Sequence, residues 1–165
     1  MYLTVGNALD GTKKKIGSYT GIFKNNVLNV KRQENDIIFE GICEEDIESE
    51  CYEYFDLGTD YEEIKKKLAK IDEHLKESVK YGEGIRILKQ DLWETIISFI
   101  ISANNNIPRI KGIIDRISKK YGNKIQFRGK EYYTFPDMEH LGESSVEDLR
   151  ALGLGFRDKR IYEKT

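Results

Sequence analysis

The feature that most constrains this chain is the run from residue 90 to residue 117, QDLWETIISFIISANNNIPRIKGIIDRI. Asp91 with Glu94 three residues on is a D-x-x-E capping box, so a helix starts there. Leu92, Trp93, Ile96, Ile97, Phe99, Ile100, Ile101 and Ala103 cover most of its circumference. Glu94, Ser98 and Ser102 share one polar face at i, i+4, i+8. A helix this apolar is expected at the middle of a domain, with Trp93 and Phe99 in the core. It is too short and too interrupted to span a membrane.

Asn104, Asn105 and Asn106 stop that helix, because asparagine tolerates left-handed dihedrals and competes for backbone hydrogen bonds. Pro108 fits the first turn of a second helix, where its missing N–H costs nothing. Ile110, Ile113, Ile114, Ile117 and Tyr121 form the second helix's apolar stripe. Arg109, Arg116 and Lys120, at spacings of 7 and 4, fall together along its edge. Two readings stay open: an ordinary Asn-rich connection, or a recognition loop. Amides donate and accept at once, and arginine can grip a base edge with two bonds.

The 165 residues suffice for one domain or two small ones with a core of their own. Residues 1–100 carry 14 Lys+Arg against 20 Asp+Glu; residues 101–165 carry 13 against 9. A nucleic-acid surface therefore belongs to the second part. Cys43 and Cys51 lack metal-ligand spacing and any His cluster, so they read as thiols in a reducing compartment, with no metal and no cofactor. His74 and His140 stand alone, and surface or packing roles suit them. Without a signal peptide or a transmembrane run, the chain reads as intracellular: cytoplasmic, at the nucleoid if bacterial.

Residues 17–23, 27–32 and 36–42 read as three short strands, punctuated at Asn25-Asn26 and Glu34-Asn35, hence an antiparallel meander. Such a sheet needs a helix on one face. A helix over 44–54 is expected to cover it; residues 44–63 hold ten acidic residues and no basic one, a solvated face. One longer helix is expected over 60–80, capped by Asp60, with Ile64, Leu68, Ile71, Leu75 and Val79 as its stripe and Gly82 and Gly84 ending it. Residues 125–135 look like a hairpin around Arg128-Gly129, whose four aromatics serve as core, surface cover or a stacking platform. A helical turn at Met138–Leu141 and a short helix with a capping-box start, begun by Ser144 and Ser145, follow.

In GLGFRDKR (153–160), Gly153 and Gly155 permit a tight turn with unusual dihedrals. The turn places Phe156 at its apex, beside Arg157, Lys159 and Arg160. That ring either tucks into the core or wedges between base pairs, with Arg157 reaching the unpaired base.

Taken together, GIRILKQDLWETIISFIISANNNIPRI (84–110) and LRALGLGFRDKR (149–160) resemble the 8-oxoguanine DNA glycosylase family. That family reads G-[IV]-R-[IL]-L-x-Q-D, then NNN-I-x-RI, then LGLG-[YF]-R. YFDLGTDYEEIKKKL (54–68) resembles its interdomain link and 17–42 part of its N-terminal sheet, so the resemblance covers roughly residues 17–165. It implies an α+β chain: an N-terminal antiparallel sheet with a covering helix (1–55), then the first part of an all-helical glycosylase domain (56–165). It also implies base flipping, since the target atom lies inside the duplex stack. By residue match, Asn104 fills the space of the flipped purine, with Asn105 beside it in the DNA-binding loop. Arg109 and Arg157 bind the orphaned cytosine, and Phe156, where many relatives carry tyrosine, is the wedge.

The chain also departs from the family. The G-Q-x-F-R-W strand of the oxidised-guanine pocket has no counterpart in NALDGTKKKI (7–16). The helix-hairpin-helix, the lysine that attacks the sugar and the assisting aspartate would fall beyond Thr165, so no catalytic residue is expected here. The implied function is excision of oxidised guanine opposite cytosine in duplex DNA, with strand nicking through a Schiff base, by a monomer. This chain alone is expected to be inactive. The alternative is a truncated, non-catalytic DNA-binding or protein-interaction module. No phosphate loop or ligand cluster supports a nucleotide- or metal-dependent enzyme.

Overall fold

The computed structural model describes residues 18–23, 25–33, 36–41, 47–82 and 84–165. The expectations for the N-terminal lysines, the unmatched strand and Cys43 fall outside them. The described residues fall into two compact units, one from those within 18–41 with 91–165 and one from those within 47–90.

In the first unit, β1 (Ser18–Phe23), β2 (Asn26–Gln33) and β3 (Asp36–Gly41) form the expected antiparallel meander in the order β1-β2-β3. Register runs from Ser18↔Lys31 to Phe23↔Asn26, and from Leu28↔Gly41 to Gln33↔Asp36. Phe23, Val27 and Leu28 are buried; so is Asn29, which donates to the Tyr19 carbonyl and to Thr20 Oγ1. The hairpin β4 (Lys124–Phe127) and β5 (Lys130–Tyr133) turns at Arg128 and Gly129, both with positive φ. That is the backbone of a tight hairpin turn. Arg128 and Lys31 each lie 2.6 Å from Glu40. The Lys31 and then the Arg128 hydrogen bond hold the Glu40 carboxyl below its usual range. Tyr132 is buried, with the Phe127 ring edge-on at 6.4 Å, so these two aromatics are cover for the fold.

The helices of this unit are α4 (Leu92–Ser102), α5 (Ile107–Tyr121), α6 (Met138–Gly142), α7 (Val146–Ala151) and α8 (Asp158–Tyr162). Their core joins Ile97 and Ile101 of α4 to Ile110, Ile113, Ile114 and Ile117 of α5, with Leu141, Leu149, Leu154 and Ile161 closing it. Each fully buried side chain contributes about 1.5–3 kcal/mol. The expectation of a wholly enclosed α4 is corrected here. Only Ile97 and Ile101 are fully buried on it, while Leu92 and Phe99 are 72% and 77% exposed. Trp93 is half-buried and donates its Nε1–H to the Pro136 carbonyl at 3.0 Å. Circumference alone could not tell which side of an all-apolar helix meets the rest of the unit.

The second unit holds α1 (Ile47–Tyr54), α2 (Tyr61–Leu68) and α3 (Glu73–Tyr81). The single helix expected over 60–80 is two, because Asp72 accepts from Leu75 N at 2.8 Å and starts a new helix. The apolar stripe is present, yet neither α2 nor α3 buries a residue. A hydrogen-bonded turn organises the unit. Asp56, in a left-handed conformation, accepts from Tyr61 Oη and Thr59 Oγ1, each at 2.9 Å, which hold its carboxyl below the usual range. Arg86 donates to the Asp56 carbonyl at 2.7 Å and stacks over the Tyr61 ring. Tyr61 Oη also accepts from Ile87 N, so the extended segment after Gly84 is tied to this turn.

Candidate nucleic-acid interface

Two turns meet at one end of the helical core. The first joins α4 to α5. Asn104 has φ +49, the left-handed conformation the asparagines suggested. Asn105 donates its side-chain amide to the Ile101 carbonyl and accepts from Asn106 N, both at 3.1 Å. Asn106 caps α5, accepting from Arg109 N at 3.0 Å. Two of the three amides therefore close the turn itself. Asn104 is exposed, and among the described residues its side chain has no hydrogen-bond partner.

The second turn follows α7. Gly153 and Gly155 have φ +93 and +59, and residues Gly155–Arg157 form one turn of tight 3-10 helix leading into α8. This lifts Phe156 into solvent at 61% exposure, which removes the reading in which it tucks into the core. The Arg157 guanidinium lies 4.3 Å from the Phe156 ring centroid and stiffens its base.

Each turn is fastened to the other by an arginine. From α5, Arg109 donates to the Gly153 carbonyl at 3.4 Å. In the other direction, Arg157 reaches the end of α4: Nε donates to the Ala103 carbonyl at 2.9 Å, Nη2 to Ala103 and Asn104, and Nη1 to Leu154 at 3.1 Å. A cation at a helix C-terminus is favoured by the unpaired carbonyls there. The turns thus converge. Arg157, expected from the resemblance to bind the orphaned cytosine, is nevertheless buried. It is 3% exposed, because four hydrogen bonds to three backbone carbonyls satisfy a charge that could not otherwise be buried. Arg109 remains exposed.

Sequence reading missed two supports of this end. Asp158, almost fully buried, accepts from Arg150 Nε at 2.7 Å and from Lys159 N at 2.6 Å, joining α7 to α8. Burial pushes its carboxyl up, but these bonds more than offset it and leave it below the usual range. Only the adjacency of Asp158 to a cation-rich turn could have hinted at this. Arg116, noted earlier merely as part of a basic row, donates to the Leu152 carbonyl at 2.8 Å. Lys120, in the same row, pairs with Asp148 at 2.5 Å. No group of His, Cys, Asp and Glu able to hold a metal occurs among the described residues. No helix among them is long and apolar enough to cross a membrane.

Comparison with known proteins fits this arrangement. The family of 8-oxoguanine DNA glycosylase N-terminal domains matches residues 3–96. An N-glycosylase/DNA lyase of Saccharomyces cerevisiae is 47% identical over 83 residues, covering 49% of this chain and 22% of that protein. The apo-form crystal structure of the Clostridium acetobutylicum 8-oxoguanine glycosylase/lyase superposes with a TM-score of 0.84 at 46% identity, covering 88% of this chain and 51% of that one. The same enzyme in complex with dsDNA containing cytosine opposite 8-oxoG gives 0.83, again at 46% identity, covering 88% and 50%. This chain spans about half the length of these solved relatives. With an α+β architecture and more than half its length matched by the family model, the chain belongs to the 8-oxoguanine DNA glycosylase family.

Proposed function

We propose that this chain is the damage-recognising part of a base-excision repair glycosylase/AP lyase that acts on duplex DNA with 8-oxoguanine opposite cytosine. The observation that supports it most is the mutual fastening of the two turns, which sets Asn104, Arg109 and Phe156 exposed at one end of the helical core. In this reading Phe156 enters the stack, Asn104 with Asn105 behind it occupies the vacated purine space, and Arg109 takes the orphan cytosine. Arg157 joins it by exchanging backbone carbonyls for base acceptors when DNA binds. The division at residues 55 and 56 would mark the whole protein's two domains, working as a monomer at the chromosomal DNA, the nucleoid in a bacterium.

The test is binding to duplexes that carry an abasic analogue opposite each of the four bases. Arg109→Ala and Arg157→Ala should each weaken the preference for cytosine by about 1–3 kcal/mol, the worth of a bidentate base contact. Phe156→Ala should weaken binding whatever the opposing base, because a wedge acts on stacking. Equal loss across all four bases for both arginine variants would defeat the proposal.

A second reading, a non-catalytic DNA-binding or protein-interaction module, is favoured by the exposed apolar face of α4 with Leu92, Ile96 and Phe99. The opposite-base preference above separates the two; borohydride trapping adds a check on the module, since both readings expect no adduct from this chain. No Schiff-base adduct on lesion DNA is expected from these 165 residues. A stoichiometric adduct would rule out the module and the expected inactivity together.

A further inference from the structure

α5 has a glycine in its interior, where only proline is less favourable. A Cβ at Gly112 would lie 3.2 Å from Arg116 Nη1. A second glycine faces the same guanidinium: a Cβ at Gly153 would lie 2.8 Å from Arg116 Nη2. The Arg116 head group thus occupies a slot left open by two glycines on different elements, and its Nε donates to the Leu152 carbonyl at 2.8 Å. Two turns earlier on the same helix, Arg109 donates to the next carbonyl, that of Gly153. Consecutive carbonyls of the glycine turn are therefore held by two arginines of one helix face.

We propose that Arg116 is a positioning residue for opposite-base recognition. It fixes the register of the Gly153–Arg157 turn against α5, and with it the distance from Arg109 to Phe156. The inference rests on the reading above, in which Arg109 meets the orphan base and Phe156 enters the stack. Arg116 does not itself touch DNA. Charge alone is not its contribution; the planar head group fits the slot and carries a donor at Nε, which lysine lacks.

The experiment compares the 165-residue chain with Arg116→Ala, Arg116→Lys and Gly112→Ala. Binding to duplexes with an abasic analogue opposite each base is measured across a salt series, with the melting temperature of every variant. Arg116→Ala should lower the preference for cytosine by about fivefold, the low end of a lost base contact, and leave binding to undamaged duplex unchanged. Arg116→Lys should behave like Arg116→Ala. Gly112→Ala, whose Cβ would press on Arg116 Nη1, should show a smaller loss in the same direction without a lower melting temperature, since alanine favours the helix. Should Arg116→Ala fail to fold, the other two variants decide.

A uniform loss for all duplexes, with the salt slope reduced by about 1, would make Arg116 a phosphate contact and overturn the proposal. Restoration by lysine, or unchanged discrimination in Gly112→Ala, would overturn it as well. If the parent chain shows no base preference, the functional reading fails, and amide exchange then tests the positioning on its own. The Leu154 and Arg157 amides, bonded to Leu149 and Leu154 carbonyls, should exchange faster in Arg116→Ala while α4 stays protected. Unchanged exchange would refute the positioning role independently of DNA.

Discussion

The asparagine turn and the glycine turn lie side by side, yet they are built in opposite ways. In the first, Asn105 and Asn106 bond to backbone within four residues, closing α4 and capping α5 with the turn's own side chains. In the second, the glycines only make the path sterically possible; Arg109 and Arg116 of α5 hold its carbonyls, and Arg150 holds Asp158 just beyond it. The first turn also takes hydrogen bonds from Arg157 at its Ala103 and Asn104 carbonyls, but its caps are its own. A turn held from outside is as accurate as the elements that hold it, and it is the one that presents Phe156.

The largest effect should come from the support the two turns share. Ile113 is fully buried, and its Cγ1 lies 3.8 Å from where a Cβ of Gly153 would be. Ile113→Ala should cost about 2–5 kcal/mol in chemical denaturation. Phe99→Ala, on the exposed side of α4, should change stability by less than about 0.5 kcal/mol. A similar cost for both would mean that the core is not where it is described.

Next come the turns themselves. Gly153→Ala meets both a left-handed backbone and the Arg116 guanidinium, and should cost about 1–3 kcal/mol. Asn104→Gly, at a position also left-handed, should stay within about 0.5 kcal/mol of the parent, because relief of strain is offset by a freer unfolded chain. Equal penalties would erase the contrast between the two turns. Asn106→Ala removes the cap of α5 and should cost about 0.5–2 kcal/mol. Thermal melts rank all three.

The smallest effect is one of pH. Hydrogen bonds from Lys120 and then Ser145 bring the Asp148 carboxyl down to about 2. Because its folded value lies below its unfolded one, the stabilisation is present above about pH 4 and fades as pH falls towards 2. The α7 start, where Ser145 and Asp148 form a capping box, should then fray in amide shifts while the Asn106 cap of α5, which is neutral, does not. Simultaneous fraying of both caps would show that acid acts on the whole core.

Much of this was legible in the residues. Strand limits, the Arg128-Gly129 hairpin, the caps at Asp91, Asp60 and Ser145 and the left-handed asparagine all follow from dihedral preferences and hydrogen bonds closed over a few positions. The break at Asp72 was not, because an apolar stripe running through 64–79 outweighed a cap whose effect is equally local.

The sequence by itself determined the strand meander, the hairpin, the two turns, the family and the residues that carry its motifs. Tertiary structure alone decided that α4 buries Ile97 and Ile101 and leaves Phe99 out, that Arg157 is satisfied by the carbonyls of Ala103 and Asn104, and that Arg116 fits between Gly112 and Gly153. The reason is the range of the forces involved. Backbone dihedrals and caps are settled within one or two turns of chain. Burial and the partner of a long cation depend on atoms more than thirty residues away, which no local pattern can specify.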